Sequence, residues 1–173
     1  MMDKDELDRI GCKTFVCFNL SYIDANCKAM KLSDKVIKRA KDISLAYLKK
    51  TYHNPSYSGV RPVLCGAICV ASILEGEYIT PNEMYYTSRN IAESNKRGNK
   101  RGCCSPVFTR KWCKTIVQKL GIDIGFVDGC PNTIRFKYGE EDKEVSFNRN
   151  SIDRNNYIDI YRSIYSLDIL TNK

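Results

Sequence analysis

The sequence has few of the residues and spacings from which enzymes are usually recognised. It contains one histidine, His53, which follows a helical pattern and is better interpreted as a residue at a helix end than as a catalyst. It lacks a Gly-rich phosphate-binding loop and any serine, histidine and aspartate arrangement typical of a hydrolase. The nine cysteines include no C-x-x-C pair, so they do not have the ligand spacing of a zinc site. We therefore expect no catalytic residue, no cofactor and no bound metal.

The sequence also has no long apolar run, and we expect no leader segment. No run approaches the roughly 20 residues of a membrane span, and residues 1–13 form an acidic arm without the apolar region of a signal peptide. We therefore expect no membrane partner. The expected location is cytoplasmic, at the nucleoid, in a prokaryotic or viral setting, and nuclear in a eukaryote.

In such a reducing compartment the cysteines are expected to be free thiols. Cys65, Cys69 and Cys113 lie in apolar helical patterns, and this position predicts that they are buried. The vicinal pair Cys103–Cys104 lies in a polar segment, where a redox-sensitive or metal-binding role stays open.

What the sequence does have is a series of five helical patterns. They cover residues 14–30, a segment from Ser33 or Asp34 to near His53, residues 60–74, a segment from Thr80 to near Arg89, and residues 105–120. The third, "VRPVLCGAICVASIL", is apolar almost all round and is therefore expected to be central and buried. Its small residues Gly66, Ala67 and Ala71 are expected to let neighbouring helices approach closely. Thr80 and Glu83 have the spacing of a capping box at the start of the fourth helix.

The fifth pattern predicts an amphipathic helix with a basic outer side. At about 100° per residue, the side expected to face the core gathers Phe108, Thr109, Trp112, Cys113, Ile116 and Leu120. The opposite side gathers Val107, Arg110, Lys111, Lys114 and Gln118. Gly121 is expected to end the helix as its C-cap.

The segments around these helices differ in character. Residues 89–104 are polar and contain glycine, a composition that predicts a loop. The alternation in "NTIRFKYGEEDKEVSFN" predicts a β-hairpin, and "SIDRNNYIDIYRSIYSLDIL" predicts a last helix. The predicted fold is therefore mainly α, with an arm over 1–13, a five-helix domain over 14–122 and a hairpin-helix extension over 123–173.

Four of the helical patterns resemble the helices of a cyclin-like repeat in the transcription initiation factor IIB family. "LSDKVIKRAKDISLAYLKK" is similar to the second helix of the repeat through Leu32, Val36 and Ala40. "SGVRPVLCGAICVASILEG" resembles the third helix, "ITPNEM" the start of the fourth and "SPVFTRKWCKTIVQKL" the fifth. The resemblance covers residues about 14–121 and implies a five-helix cyclin-like fold.

The chain departs from that family in three respects. It has no zinc ribbon, too few residues after the repeat to form a second one, and a basic insertion between Glu83 and Arg110, within the predicted loop at about 89–104. A single repeat offers little surface for tight specific binding. A homodimer, or a complex with a TATA-binding protein, a polymerase or another transcription protein, therefore stays open.

The resemblance also implies DNA binding, because the fourth and fifth helices form a helix-turn-helix in that family. Matched position by position, Val107 and Arg110 would contact bases in the major groove, where arginine can bond guanine bidentately and a small apolar residue can touch a thymine methyl group. Phosphate contacts are expected from Lys96, Arg97, Lys100, Arg101, Lys111 and Lys114.

The distribution of charge favours double-stranded DNA as the partner. The segment from Arg89 to Lys119 holds nine basic residues and one acidic residue, Glu93, so it accounts for the whole net charge of +8. The alternative is a cyclin-fold module that binds a polymerase, a kinase or another protein without contacting DNA. Basic residues on a helix exterior are also often only a solvated face.

Overall fold

Five helices and a three-stranded sheet make up the part of the chain that the computed structural model describes, residues 13–51, 57–94 and 105–147. The helices are α1 (Lys13–Ala29), α2 (Asp34–Thr51), α3 (Tyr57–Leu74), α4 (Pro81–Ser94) and α5 (Pro106–Leu120). The strands are β1 (Asp123–Val127), β2 (Cys130–Tyr138) and β3 (Glu141–Ser146). The expectation of a mainly helical protein with a small antiparallel sheet is therefore confirmed. Residues 1–12 of the acidic arm and the predicted last helix lie outside the described residues, and Lys13 is the first residue of α1.

Helix α3 is the centre of the helical part, as its apolar sequence predicts. Every residue from Val63 to Leu74 is buried, and α3 packs against each of the other four helices. Helix α3 approaches α5 closely at Gly66. A Cβ atom placed on Gly66 would lie 2.9 Å from the Cβ of Trp112 and 3.2 Å from the backbone nitrogen of Cys113. The expected role of a small residue at this position is therefore confirmed.

The start of α4 is fixed by the predicted capping box. The backbone N–H of Thr80 donates to Glu83 Oε2 at 2.7 Å, and the N–H of Glu83 donates to Thr80 Oγ1 at 3.1 Å. The predicted end near Arg89 is wrong, because α4 continues to Ser94. Arg89 and Glu93 form an ion pair one turn apart at 2.8 Å, and no glycine or proline interrupts this turn. Residues 89–94 of the predicted loop are thus helical, and residues 95–104 lie outside the described part.

The sheet has the order β1-β2-β3, and both pairs of strands are antiparallel. Strands β2 and β3 are the predicted hairpin, whose turn contains Gly139 at a φ of 59°. Strand β1 was not predicted. It is short, contains Gly125 and buries only Ile124, so its sequence shows little alternation.

The sheet and the helices share one hydrophobic core. Ile124, Ile134, Phe136 and Phe147 are buried in the same cluster as the apolar residues of α2 and α3. After α3, Gly76 has a φ of 74°, and a Cβ there would lie 2.8 Å from Val145 Cγ1. The helical part therefore meets the sheet without an intervening gap at this turn.

Arg39 of α2 links the two parts electrostatically. Its guanidinium pairs with Glu75, just beyond α3, and donates to both carboxylate oxygens of Glu141 at 3.1 and 3.0 Å. It also lies 5.7 Å from the centre of the Phe136 ring. These hydrogen bonds from Arg39, together with the contact of Lys143 with Glu141 at 3.0 Å, lower the pKa of Glu141 to about 2.

Candidate nucleic-acid interface

Helix α5 carries the candidate interface, and its ends are set by local sequence. Ser105 is the N-cap, and its Oγ accepts a hydrogen bond from the N–H of Phe108 at 3.4 Å. Pro106 occupies the first turn, where its missing N–H costs nothing. Gly121 ends the helix in the left-handed conformation at a φ of 64°, as predicted.

The inner side of α5 fixes the helix to the core. The helix buries Thr109, Cys113, Ile116 and Val117, with Leu120 packed against the same cluster. The half-buried Trp112 ring meets the ring of Tyr47 edge-on, with centroids 6.0 Å apart. The sulfur of Cys113 also lies 3.6 Å from the carbonyl oxygen of Gly66, to which it donates. Most of the predicted inner side is thus confirmed.

One residue of the predicted inner side is misplaced. Phe108 is 56% exposed, whereas Val117, which was assigned to neither side, is buried. The row Thr109–Cys113–Val117 sets the centre of the buried arc, and Phe108 lies about 140° from that centre at about 100° per residue. A helix orientation centred on this i, i+4, i+8 row predicts that Phe108 is exposed.

We call the four predicted contact residues of α5 the α5 outer face (Val107, Arg110, Lys111 and Lys114), although Arg110 lies at the border of the buried arc, beside Val117. Val107 is 72% exposed and Lys111 is exposed, at the position farthest from the buried arc. Arg110 and Lys114 are half-buried and lie closer to the arc on the side of Val107. The structure thus brings these four residues together on one helix.

The predicted phosphate contacts of the inserted loop lie outside the part of the chain that the structure describes. Lys96, Arg97, Lys100 and Arg101 all lie in residues 95–104, outside the described part of the chain. Arg89 lies in α4 and pairs with Glu93. The two charges therefore compensate each other, and the described part of the insertion adds no net charge.

The charge of α5 contrasts with that of the sheet. The fifteen residues of α5 include Arg110, Lys111, Lys114 and Lys119 and no acidic residue. On the outer face of the sheet, Arg135 donates to both carboxylate oxygens of Asp142, at 2.8 and 2.9 Å. The sheet therefore presents balanced charge, whereas α5 presents basic charge alone.

The α4–α5 region also carries an exposed aromatic residue that the sequence reasoning missed. Tyr86 of α4 is 60% exposed, and its ring contacts that of Tyr85 with centroids 5.4 Å apart. Helix α4 packs against α5, so two exposed aromatic side chains, Tyr86 and Phe108, belong to neighbouring helices. A count of apolar positions does not separate such residues from core residues.

The predicted burial of Cys65, Cys69 and Cys113 is confirmed, and all three are free thiols. Cys130, at the start of β2, is also free but exposed. Cys103 and Cys104 lie outside the described residues. Within residues 13–51, 57–94 and 105–147, no group of three or more His, Cys, Asp and Glu side chains is arranged to hold a metal ion.

None of the helices in the described segments combines the length and apolar character needed to cross a bilayer. Comparisons of the chain with models of protein families, with curated proteins and with solved structures found no match.

Proposed function

We propose that the protein is a DNA-binding regulator of transcription in which α4 and α5 act as a helix-turn-helix. The α5 outer face would enter the major groove, which is wide enough to admit an α-helix. The fold we propose for residues 14–122 is a single cyclin-like repeat of the kind found in the transcription initiation factor IIB family. The buried position of α3 among four other helices supports this proposal.

The observation that carries the proposal is the make-up of α5. Its inner side is held in the core, while its outer face offers Val107, Arg110, Lys111 and Lys114 with no acidic residue anywhere in the helix. A polyanion is the partner that such a surface fits, because each phosphate neutralised by a lysine or arginine releases a counterion. Residues near the N-terminus of a recognition helix are those that reach base edges.

The roles within this surface follow from side-chain chemistry. Arg110 would donate to guanine O6 and N7, and Val107 would contact a thymine methyl group. Lys111 and Lys114 would bind phosphates and so set the position of the helix on the duplex. Lys96, Arg97, Lys100 and Arg101 are proposed as further phosphate contacts on sequence grounds alone.

The Arg110→Ala substitution tests the base contact. A preferred site is first selected from a pool of random duplexes by the full-length protein. Each base pair of that site is then varied, and the affinity of both proteins for each duplex is measured. We expect the variant to lose about 1–3 kcal/mol of discrimination at one base pair and to keep its preferences elsewhere.

Arg135→Ala is the matched control, since Arg135 is an exposed arginine on the outer face of the sheet. It should leave all preferences unchanged. Selection that returns no preferred site, or an Arg110→Ala variant with unchanged preferences, contradicts the assignment of Arg110.

A protein-interaction module is the second candidate function. The exposed apolar side chains Tyr86, Val107 and Phe108 favour it, because aromatic residues are enriched where proteins dock. In this case the partner would be a polymerase, a kinase or another protein, bound without DNA contact. Failure of the full-length protein to bind any duplex at low salt would favour this candidate.

A further inference from the structure

Phe108 lies on the surface of a basic helix and, among the described residues, does not belong to the hydrophobic core cluster. The side chain is 56% exposed and follows Val107, which is 72% exposed. Both residues lie in the first turn of α5, and its N-cap Ser105 bonds the backbone of Phe108 rather than its ring. A capped and fixed first turn therefore presents two adjacent apolar side chains to solvent.

The charge around this apolar pair indicates what it contacts. Lys111 lies four residues after Val107 and three after Phe108, so it lies between the two on the helix surface. Arg110 and Lys114 continue the basic surface on the side of Val107, and α5 contains no acidic residue. An acidic, polyanionic partner complements this arrangement, whereas a purely apolar protein surface would offer no counter-charge to Lys111 and Lys114.

In the major groove of DNA, the apolar group that a side chain can reach is the thymine methyl. We propose that Phe108 is a further base-contact residue of α5 and packs against thymine methyl groups beside the contact made by Val107. Lys111, between the two, binds a phosphate and holds both side chains toward the groove. The inference rests on the proposed DNA-binding function and adds a preference for thymine on the Phe108 side.

Two alternating duplex polymers test this assignment, poly(dA-dT) and poly(dA-dU). They differ in one group, the methyl carbon at position 5 of the pyrimidine, which faces the major groove. Binding of the full-length protein to each polymer is measured by competition against a labelled duplex at low salt. We expect about a threefold to fivefold preference for the thymine polymer, the size expected for burial of one methyl group.

The Phe108→Ala variant is expected to reduce this preference by weakening binding to poly(dA-dT) while leaving binding to poly(dA-dU) unchanged, and the Val107 contact retains the rest of the preference. Because Phe108 is more than half exposed, the substitution should preserve the fold, which a thermal unfolding curve checks. Tyr86→Ala is the matched control, since it removes a similarly exposed aromatic ring from the neighbouring helix α4. The control should keep the preference.

The other outcomes separate the two proposals. Equal binding of both polymers by the unmodified protein overturns the role of Phe108 and leaves the DNA-binding proposal standing. An undiminished preference in Phe108→Ala, or an equal loss of affinity for both polymers in that variant, also overturns the methyl contact. Absence of binding to either polymer contradicts DNA binding itself.

Discussion

At the scale of single residues, Arg39 connects three separate parts of the chain. Its side chain is 16% exposed and meets Glu75 beyond α3 and Glu141 at the start of β3. A bidentate arginine–carboxylate pair is stronger and more directional than a single surface contact. Arg39 therefore helps to hold the sheet against the helices, and the stability of this contact depends on the charge of Glu141.

The pH dependence of stability tests the contact between Arg39 and Glu141. The pKa of Glu141 is lowered in the folded protein to about 2, so its contribution is complete above the pKa of an unfolded glutamate. That contribution is lost as the pH falls from about 4.5 to about 2. Glu141→Gln should lower the free energy of unfolding at pH 7 by about 1–2 kcal/mol, reduced from the full effect by partial exposure to solvent.

The measurement is urea unfolding of both proteins at pH 7 and at several values down to about pH 3. The difference between them should shrink as the pH falls. Glu140→Gln is the control, because Glu140 is exposed in the same turn. A difference that stays constant with pH would show that the charge of Glu141 is not what matters.

At the scale of helices and strands, the features that depend on neighbouring residues alone were predicted correctly from the sequence. The capping box at Thr80 and Glu83 and the C-cap Gly121 follow from neighbouring residues alone, and both are present. The five apolar patterns also predicted five helices. The apolar spacing within each pattern identified the helix even where its first and last residues were predicted less exactly.

The misses depend on contacts that a local pattern does not contain. Strand β1 forms only because β2 offers it a ladder, since its own alternation is weak. The exposure of Phe108 depends on how α5 is rotated against α3, a rotation fixed by Gly66 and the residues around it. In α5, the exposed positions of Val107 and Lys111 were therefore predicted correctly. The exposed ring of Phe108 was wrongly assigned to the core.

The crossing of α3 and α5 is tested by Gly66→Ala. A methyl group there would lie 2.9 Å from Trp112 Cβ and 3.1 Å from Ile116 Cδ1, so the two helices must separate. We expect a loss of about 1–3 kcal/mol in the free energy of unfolding. Without the clash the same change would be favourable by up to about 1 kcal/mol, because alanine is the better helix former.

Urea unfolding at neutral pH measures this effect. Gly125→Ala in β1 is the matched control, because a Cβ there has no neighbouring atom within 4 Å. Gly66→Ala that is as stable as the unmodified protein, or more stable, would contradict the close approach of the two helices.

At the scale of the whole molecule, the described residues share one hydrophobic core, and charge is distributed unevenly over their surface. Helices and sheet bury their apolar residues in a single cluster, so the sheet is packed on the helical part rather than appended to it. The sheet pairs the charges on its outer face, and Arg89 of α4 is paired as well. In the described residues, α5 has four basic side chains and no acidic one, whereas α1, α2 and α4 contain both signs and α3 has Arg61 as its one charged residue. This asymmetry is the physical basis of the DNA-binding proposal.

The most direct test of that proposal is the salt dependence of DNA binding by the full-length protein. Binding of a fluorescently labelled duplex of mixed sequence is measured between about 50 and about 200 mM salt. Affinity should fall steeply with salt, and Lys111→Gln/Lys114→Gln should reduce the slope of log K against log salt by about 2. Lys35→Gln/Lys38→Gln, which removes two exposed lysines from α2, should leave the slope unchanged. No binding at the lowest salt, or an equal reduction of the slope by both pairs of substitutions, would contradict a DNA-binding surface on α5.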